Sequence, residues 1–186
     1  MKFNPKNLVI ITGASGVGKT TVAIELLKKH KNIKRVITYT TRKKRKSERD
    51  GKDYNFITTK EFKEMIKKNK FFEWAEVYGN YYGNSKDDLK NLCKKNKYCV
   101  MILDIQGAEK IKREVPNSIG IFVWADFEEL AKRIEKRGKM KRKDFELRQK
   151  IAKNEIKKAK QFDYMVKNES GKMEKAVEKI EKILDL

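Results

Sequence analysis

Residues 13 to 20, Gly13-Ala14-Ser15-Gly16-Val17-Gly18-Lys19-Thr20, fit the pattern G-x-x-x-x-G-K-[ST] with nothing missing. No other stretch of the chain restricts the fold as tightly. Before it runs Leu8-Val9-Ile10-Ile11, a short branched apolar run that reads as a buried parallel strand. After it Val22, Ala23, Leu26 and Leu27 recur at helical spacing. The order strand, glycine loop, helix is the one phosphate binding requires. Glycines let the backbone curl until successive N–H groups point at phosphate oxygens, and the helix N-terminus adds positive potential. Lys19 is placed to reach the outer phosphates, and Thr20 to offer its hydroxyl to Mg2+. A glycine-rich turn without a ligand would explain the glycines, but not the lysine, the hydroxyl and both flanking elements.

The 186 residues suffice for one sizeable core with insertions, not for two full domains. Lys and Arg total 47 against 26 Asp and Glu, a formal net charge of +21. Such a field attracts nucleotides, nucleic acid and anionic membrane alike, and so says "anion" without saying which. Cys93 and Cys99 lie too close together for an obvious long-loop staple and are too few for a metal cage. The chain starts without a secretory pattern, and no apolar run approaches the ~18 residues of a membrane span. A reducing cytoplasm is the expected setting. The only histidine, His30, falls at the end of the first helix, where it reads as an exposed cap at the carbonyl end of the dipole.

Further along, residues Arg35 to Thr38 read as a strand leading into a basic, turn-rich stretch, Thr40-Thr41-Arg42-Lys43-Lys44-Arg45-Lys46. A basic run is usually a solvated loop, but arginine forks also take phosphate oxygens two at a time. Tyr54 to Ile57 reads as a short strand, and Phe62, Met65 and Ile66 mark a small helix within 60–70. In Phe71-Phe72-Glu73-Trp74-Ala75-Glu76-Val77-Tyr78 a carboxylate, Glu73, stands among large apolar groups, so it either turns to solvent or faces a ligand. Tyr98 to Leu103 is a β-prone run that delivers Asp104 at the C-terminal end of a parallel strand, the edge along which open α/β sheets bind ligands. A helix including Ile111 follows, then a strand over Ile119 to Trp124, and Asp126 reads as the N-cap of a helix carrying Phe127, Leu130, Ala131 and Ile134. The next helix sets Arg148 in a stripe with Phe145, Ala152, Ile156 and Ala159, where it either pairs with Glu155 or meets a polyphosphate. Phe162 to Lys167 is the last strand, and Met173, Ala176, Val177, Ile180, Ile183 and Leu184 mark a C-terminal helix.

The sequence resembles the guanylate kinases. The resemblance is carried by the P-loop, Thr40-Thr41-Arg42 with Arg45, Gly51-Lys52-Asp53-Tyr54-Asn55-Phe56, Glu73, Gly79-Asn80-Tyr81-Tyr82-Gly83 and Asp104-Ile105-Gln106-Gly107-Ala108, and it continues through Arg133, Arg137 and Arg148 to Asn168. It implies that Arg42, Arg45, Tyr54 and Tyr82 hold the phosphate of GMP, and that Thr38, Glu73, Asn84 and Asp104 surround the guanine, with Gly83 beside them. It also implies that Lys19, Arg45, Arg137 and Arg148 act on the transferring phosphoryl group. ATP would sit on Gly13, Ala14, Ser15, Gly16, Val17, Gly18, Lys19, Thr20 and Thr21 with Asn168, and Mg2+ on Thr20 and Asp104. The chain departs from the family at Ile102, where an acidic residue is usual, so protein support for Mg2+ would rest on Thr20 and Asp104. The segment Lys139 to Lys143 is basic where the family's lid is commonly acidic.

The architecture expected is α/β: a three-layer P-loop NTPase core with a mainly parallel sheet, formed by 1–37, 93–125 and 151–186. A GMP-binding lobe over 38–92 and a lid over 126–150 interrupt it. The activity the resemblance implies is phosphorylation of GMP, and of dGMP, by ATP. A P-loop kinase for a phosphorylated sugar fits Glu73 and Asp104 less well, and a non-catalytic interaction module would generally have lost the phosphate loop. Basic runs without interleaved stacking aromatics are a poor signal for nucleic-acid binding.

Overall fold

Four successive residues, Leu8, Val9, Ile10 and Ile11, are completely buried in strand β1 (Leu8–Thr12). Side chains on a strand alternate between faces, so an unbroken apolar run is needed only where helices cover both. Leu8 and Ile10 enter one apolar cluster with Cys99, Met101 and Phe122, while Val9 and Ile11 enter another with Val100, Ile121 and Val123. These two clusters are the interfaces of a three-layer core. The structure is a computed structural model and describes residues 5–14, 16–77, 79–126, 128–130, 133 and 157–186.

The central sheet is five-stranded and wholly parallel, in the order β2-β7-β1-β8-β9, with β2 at Ile33–Arg35, β7 at Tyr98–Ile102, β8 at Ile119–Trp124 and β9 at Tyr164–Lys167. Helix α1 (Lys19–Lys29) covers one face through Val22, Ala23 and Leu26, together with the C-terminal helix (Met173–Ile183) through Ala176, Val177 and Ile180. The other face is covered by α3 (Lys86–Lys95) through Leu89 and Cys93 and by α4 (Ile105–Glu114) through Ile105, Ala108 and Ile111.

Between β2 and α3 the chain builds a second sheet of order β4-β3-β6-β5: β3 is Tyr39–Thr40, β4 Asn55–Phe56, β5 Phe71–Val77 and β6 Asn80–Ser85. Helix α2 (Thr59–Lys67) lies within it and starts at a capping box, in which the Thr58 hydroxyl accepts from Glu61 N and Glu61 accepts from Thr58 N. This sheet has its own apolar centre, where Phe62 stacks on Phe71 at 4.3 Å and on Tyr81 at 5.4 Å. The C-terminal helix (Met173–Ile183) is labelled α5.

The single strand expected over Arg35 to Thr38 is in fact a crossing. β2 ends at Arg35, Val36 N still donates to Val100 O at 2.9 Å, and the chain then leaves the core sheet to begin β3 in the other one. Strand β6 and helix α3 carried no periodic signal strong enough to be expected, and the lobe boundary placed at 92 falls inside α3, whose apolar face belongs to the core. The cysteines also differ from expectation: Cys93 at the end of α3 and Cys99 in β7 are joined by a disulfide, with Cα atoms 5.2 Å apart. The turn between helix and strand folds back so sharply that six residues of separation bring the two together. His30 does end α1, its backbone N–H donating to Leu26 O, but it is half-buried rather than exposed, its ring meeting Glu181 of α5 at 2.7 Å. Most of the expected lid, including Arg137, Arg148, Phe145 and Lys139 to Lys143, lies outside the described residues, as does Ser15.

Candidate active site

All five core strands run the same way, so everything that follows a strand emerges at one edge. The P-loop follows β1 and Asp104 follows β7, its immediate neighbour, and the two exits are tied together: Leu103 N donates to Ile11 O at 3.1 Å and the Thr12 hydroxyl to Leu103 O at 3.1 Å. The chain into the second sheet leaves β2 at the same edge.

Gly13 has φ 142°, and a Cβ there would fall onto the carbonyl oxygen of Val123, so the loop can lie against β8 only because this residue lacks a side chain. Gly18, at φ 90°, caps α1 without a side-chain hydrogen bond, and no acidic residue occupies the first turn of the helix. The N-terminal N–H groups and the positive end of the dipole are thus left for an anion. Lys19 Nζ donates to Gly13 O at 2.6 Å and to Ala14 O at 3.1 Å, folded onto its own loop. Thr20 and Thr21 are exposed. On the far side of the loop, the Val17 carbonyl accepts from Asn168 Nδ2 at 2.7 Å and from Arg133 Nη1 at 3.2 Å. Gly16, Gly18, Thr21, Arg133 and Asn168 line a cavity of about 390 Å³ that continues along residues 169–171 to Met173.

A second cavity, of about 200 Å³, opens between the two sheets. Its wall is made by Thr38, Tyr54, Glu73, Tyr82, Asn84 and Asp104 with the apolar Ala75, Val77, Ile102 and Leu103, and with Gly107. Glu73 is 6% exposed and Asn84 1%. They form a chain in which the Thr38 hydroxyl donates to Asn84 Oδ1 at 3.0 Å and Asn84 Nδ2 donates to Glu73 Oε1 at 2.6 Å. The Glu73 carboxylate oxygen accepts, and so fixes which end of the Asn84 amide faces which neighbour. A methyl group on Gly107 would come within 3.9 Å of Glu73 Oε2, so the small residue keeps that oxygen's surroundings open. Burial pushes the Glu73 carboxyl above its ordinary value; the Asn84 hydrogen bond opposes this, and the nearby Asp104 adds to it. Asp104 is exposed and N-caps α4, its Oδ1 accepting from Gly107 N at 2.8 Å.

At the mouth of this cavity the basic stretch is organised by acids. Arg42 Nη2 pairs with Glu48 Oε1 at 2.7 Å, and its Cζ lies 5.4 Å from the centre of the Tyr54 ring, which in turn meets Tyr82 edge-on at 6.2 Å. Arg45 is exposed; its backbone N–H donates to Glu48 Oε2 at 2.8 Å, and it does not line the cavity. Gly83 also lies outside the wall. A Cβ on it would meet the Phe71 ring at 2.8 Å and the Phe62 ring at 3.0 Å, so the glycine there is explained by the packing of the lobe. Sequence reasoning passed over Ala75, Val77 and Gly107. The signal for the first two was present in the alternation from Glu73, which puts residues 75 and 77 on the same strand face.

Among the described residues no group of three or more His, Cys, Asp or Glu side chains is arranged for a metal. Mg2+ does not need one, because it usually takes one or two protein oxygens and completes its shell with phosphate and water. The exposed hydroxyl of Thr20 and the exposed carboxylate of Asp104 fit that limited role, with the apolar Ile102 in place of a further donor.

A phosphate loop ahead of an uncapped helix, set at the same sheet edge as a cavity with a buried acceptor chain, defines a P-loop NTPase of the kinase class. The family model described as guanylate kinase matches residues 5–186. A guanylate kinase from Prochlorococcus marinus (strain MIT 9312) is 42% identical over 166 residues, covering 89% of this chain and 90% of that protein. One from Clostridium perfringens (strain 13 / Type A) is 41% identical over 184 residues, covering 98% of this chain and 84% of that one. The crystal structure of guanylate kinase from Anaplasma phagocytophilum superposes with a TM-score of 0.77 at 30% identity, over 98% of this chain and 86% of that chain. The chain belongs to the guanylate kinase family.

Proposed function

We infer that the cavity between the sheets is the GMP site and the P-loop the ATP site of a guanylate kinase, which transfers the γ-phosphoryl group of ATP to GMP. The observation that carries this is the Thr38–Asn84–Glu73 chain. Guanine presents two donors on its Watson–Crick edge, N1–H and the 2-amino group, and an ionised carboxylate is an acceptor-only group that can take both. Adenine has an acceptor at N1 and no 2-amino group, so it would leave a buried carboxylate unpaired. A cavity of about 200 Å³ suits a bicyclic base, since an engineered apolar cavity of about 150 Å³ already holds benzene. Asp104 and Thr38 complete the base site. Arg42, Arg45, Tyr54 and Tyr82 take the phosphate of GMP or dGMP.

In the transfer, an oxygen of the GMP phosphate forms a bond to the γ-phosphorus as the bond from that phosphorus to the bridging oxygen breaks, leaving ADP and GDP. No general base is required, because the attacking phosphate is already an anion. The protein's share is positioning and charge. Lys19 would exchange the carbonyls of Gly13 and Ala14 for phosphate oxygens, and Arg45, Arg137 and Arg148 would meet the charge on the moving group. Thr20 and Asp104 would hold Mg2+, which when bound would supply charge neutralisation at the ATP phosphates. Residues 126–150 would close over the site and exclude water, so that the phosphoryl group is transferred rather than hydrolysed. Nucleotide substrates support a cytoplasmic setting, and the reading calls for no specific nucleic acid or membrane partner. Among the described residues no helix is long and apolar enough to cross a membrane. An ADP-release assay offering GMP, dGMP, AMP, CMP and UMP in turn is the test: rapid release with GMP and dGMP alone is expected, and equal use of AMP would overturn the base assignment.

A further inference from the structure

Arg35 belongs to the core by its backbone and to the lobe by its side chain. As the last residue of β2 it is in register with Val100 of β7. Its guanidinium reaches out of that sheet: Nη2 donates to the carbonyl of Asp53 at 3.0 Å, and Cζ lies 5.8 Å from the centre of the Tyr54 ring. The same ring carries Arg42, so two like charges are drawn to one π-face donor. Their circumstances differ. Arg42 has Glu48 at 2.7 Å, whereas among the described residues no ion pair involves Arg35. The carboxylate of Asp53 accepts instead from Arg49 N at 2.7 Å. The Nε of Arg35 is buried without a hydrogen-bond partner. Burial lowers the pKa of this guanidinium, and the neighbouring Tyr54 and Asp53 offset that only in part. A half-buried cation kept one anion short is costly unless something repays it.

We propose that Arg35 is a positioning residue for the phosphate monoester of the acceptor nucleotide: fixed in the core sheet, it holds the Tyr54 ring and the turn at Asp53, and it supplies positive charge that the incoming dianion offsets. The proposal rests on the reading that Arg42, Tyr54 and Tyr82 form the GMP phosphate site. It explains why one arginine spans the two sheets at this point. A ring contacted by two cations is held more firmly than by either alone, and the Tyr54 hydroxyl is aimed by the ring that bears it. Because Arg35 does not line the base cavity, it acts through Tyr54 and through the field, not by touching the base.

The test is a cycle of four proteins, wild type, Arg35→Met, Tyr54→Phe and the double variant, each assayed for KM of GMP, KM of ATP, kcat and melting temperature with and without saturating GMP. Arg35→Met is expected to raise KM for GMP about tenfold, equivalent to about 1.4 kcal/mol, with kcat and KM for ATP within twofold. The ligand-free melting temperature should hold or rise, since a half-buried charge without an ion-pair partner has been removed, while the stabilisation by GMP shrinks. The double variant should be little worse than the more damaged single variant, because both changes disable the same contact. If the single effects multiply, or if Arg35→Met lowers the melting temperature and leaves KM for GMP unchanged, Arg35 is merely structural and the proposal falls. Should Tyr54→Phe alone leave KM for GMP unaltered, the phosphate-site reading fails instead. Arg35→Lys keeps the charge without the planar fork and is expected to fall between wild type and Met; if Met prevents folding, a KM for GMP unchanged in Lys overturns the proposal.

Discussion

Glu73 shows what one side chain costs and returns. Its carboxyl is raised above the ordinary 4.5, first by burial. A carboxylic acid whose pKa is higher in the folded protein binds its proton more tightly there than in the unfolded chain. The unfavourable contribution of the carboxylate is therefore absent below about pH 4.5 and develops as pH rises through the folded value. Glu73→Gln, whose amide oxygen can still accept from Asn84, should make the ligand-free protein more stable at pH 8, with the gain vanishing as pH falls below 4.5; urea unfolding at several pH values measures it. The same substitution should cut kcat/KM for GMP at least tenfold and narrow the gap to AMP, because each hydrogen bond to a charged group contributes about 1.5 to 3 kcal/mol. In the wild type, KM for GMP should climb as pH drops through the raised pKa. Lys19 is the opposite case. Its ammonium donates to two carbonyls of its own loop and packs no part of the apolar core, so Lys19→Ala should leave the melting temperature within a degree or two while lowering kcat about a hundredfold or more.

Among the elements, the turn from α3 to β7 carries the least expected feature. The disulfide between Cys93 and Cys99 closes a separation of six residues, so the chain-entropy account assigns it about 2 kcal/mol. Reduction, or Cys93→Ser, should lower the melting temperature by about 5 °C for a chain of this size, with kcat preserved because neither cysteine lines either of the two site cavities. Differential scanning calorimetry with and without dithiothreitol, paired with the ADP-release assay, checks both halves. Helix α2 and strand β1 were legible for opposite reasons. The former announces itself by Phe62, Met65 and Ile66 at helical spacing, the latter by four consecutive apolar residues that only a strand covered on both faces would bury. Strand β6 was not legible, because Asn80-Tyr81-Tyr82-Gly83-Asn84-Ser85 is mostly polar or small and pairs with β5 and β3 through its backbone.

At the scale of the molecule the net charge of +21 governs encounters more than contacts. Substrates carrying several negative charges are drawn to it, and that attraction is screened beyond about 10 Å at 0.1 M salt. Raising KCl from 20 to 300 mM should increase KM for both GMP and ATP several-fold while kcat changes little. Duplex DNA should inhibit only at the low-salt end, since phosphate-driven association weakens steeply with salt. Inhibition that persists at 300 mM would reveal a specific nucleic-acid site. The parallel core sheet makes such steering productive, because the P-loop and Asp104 leave adjacent strands β1 and β7 at the same edge, and the chain to the lobe leaves β2 there too.

The sequence by itself determined the P-loop and the three-layer core, because each is a local matter: a glycine pattern or an apolar period. It also marked Glu73 as a residue needing a partner. Only the tertiary structure decided that the partner is Asn84, that Gly83 is spared a side chain by Phe62 and Phe71, that Cys93 meets Cys99, and that Arg35 reaches from one sheet to Tyr54 in the other. The physical reason is common to all four. Each depends on the packing of segments brought together by strand pairing or by a chain reversal, and neither the spacing nor the composition of either segment states which surfaces will meet.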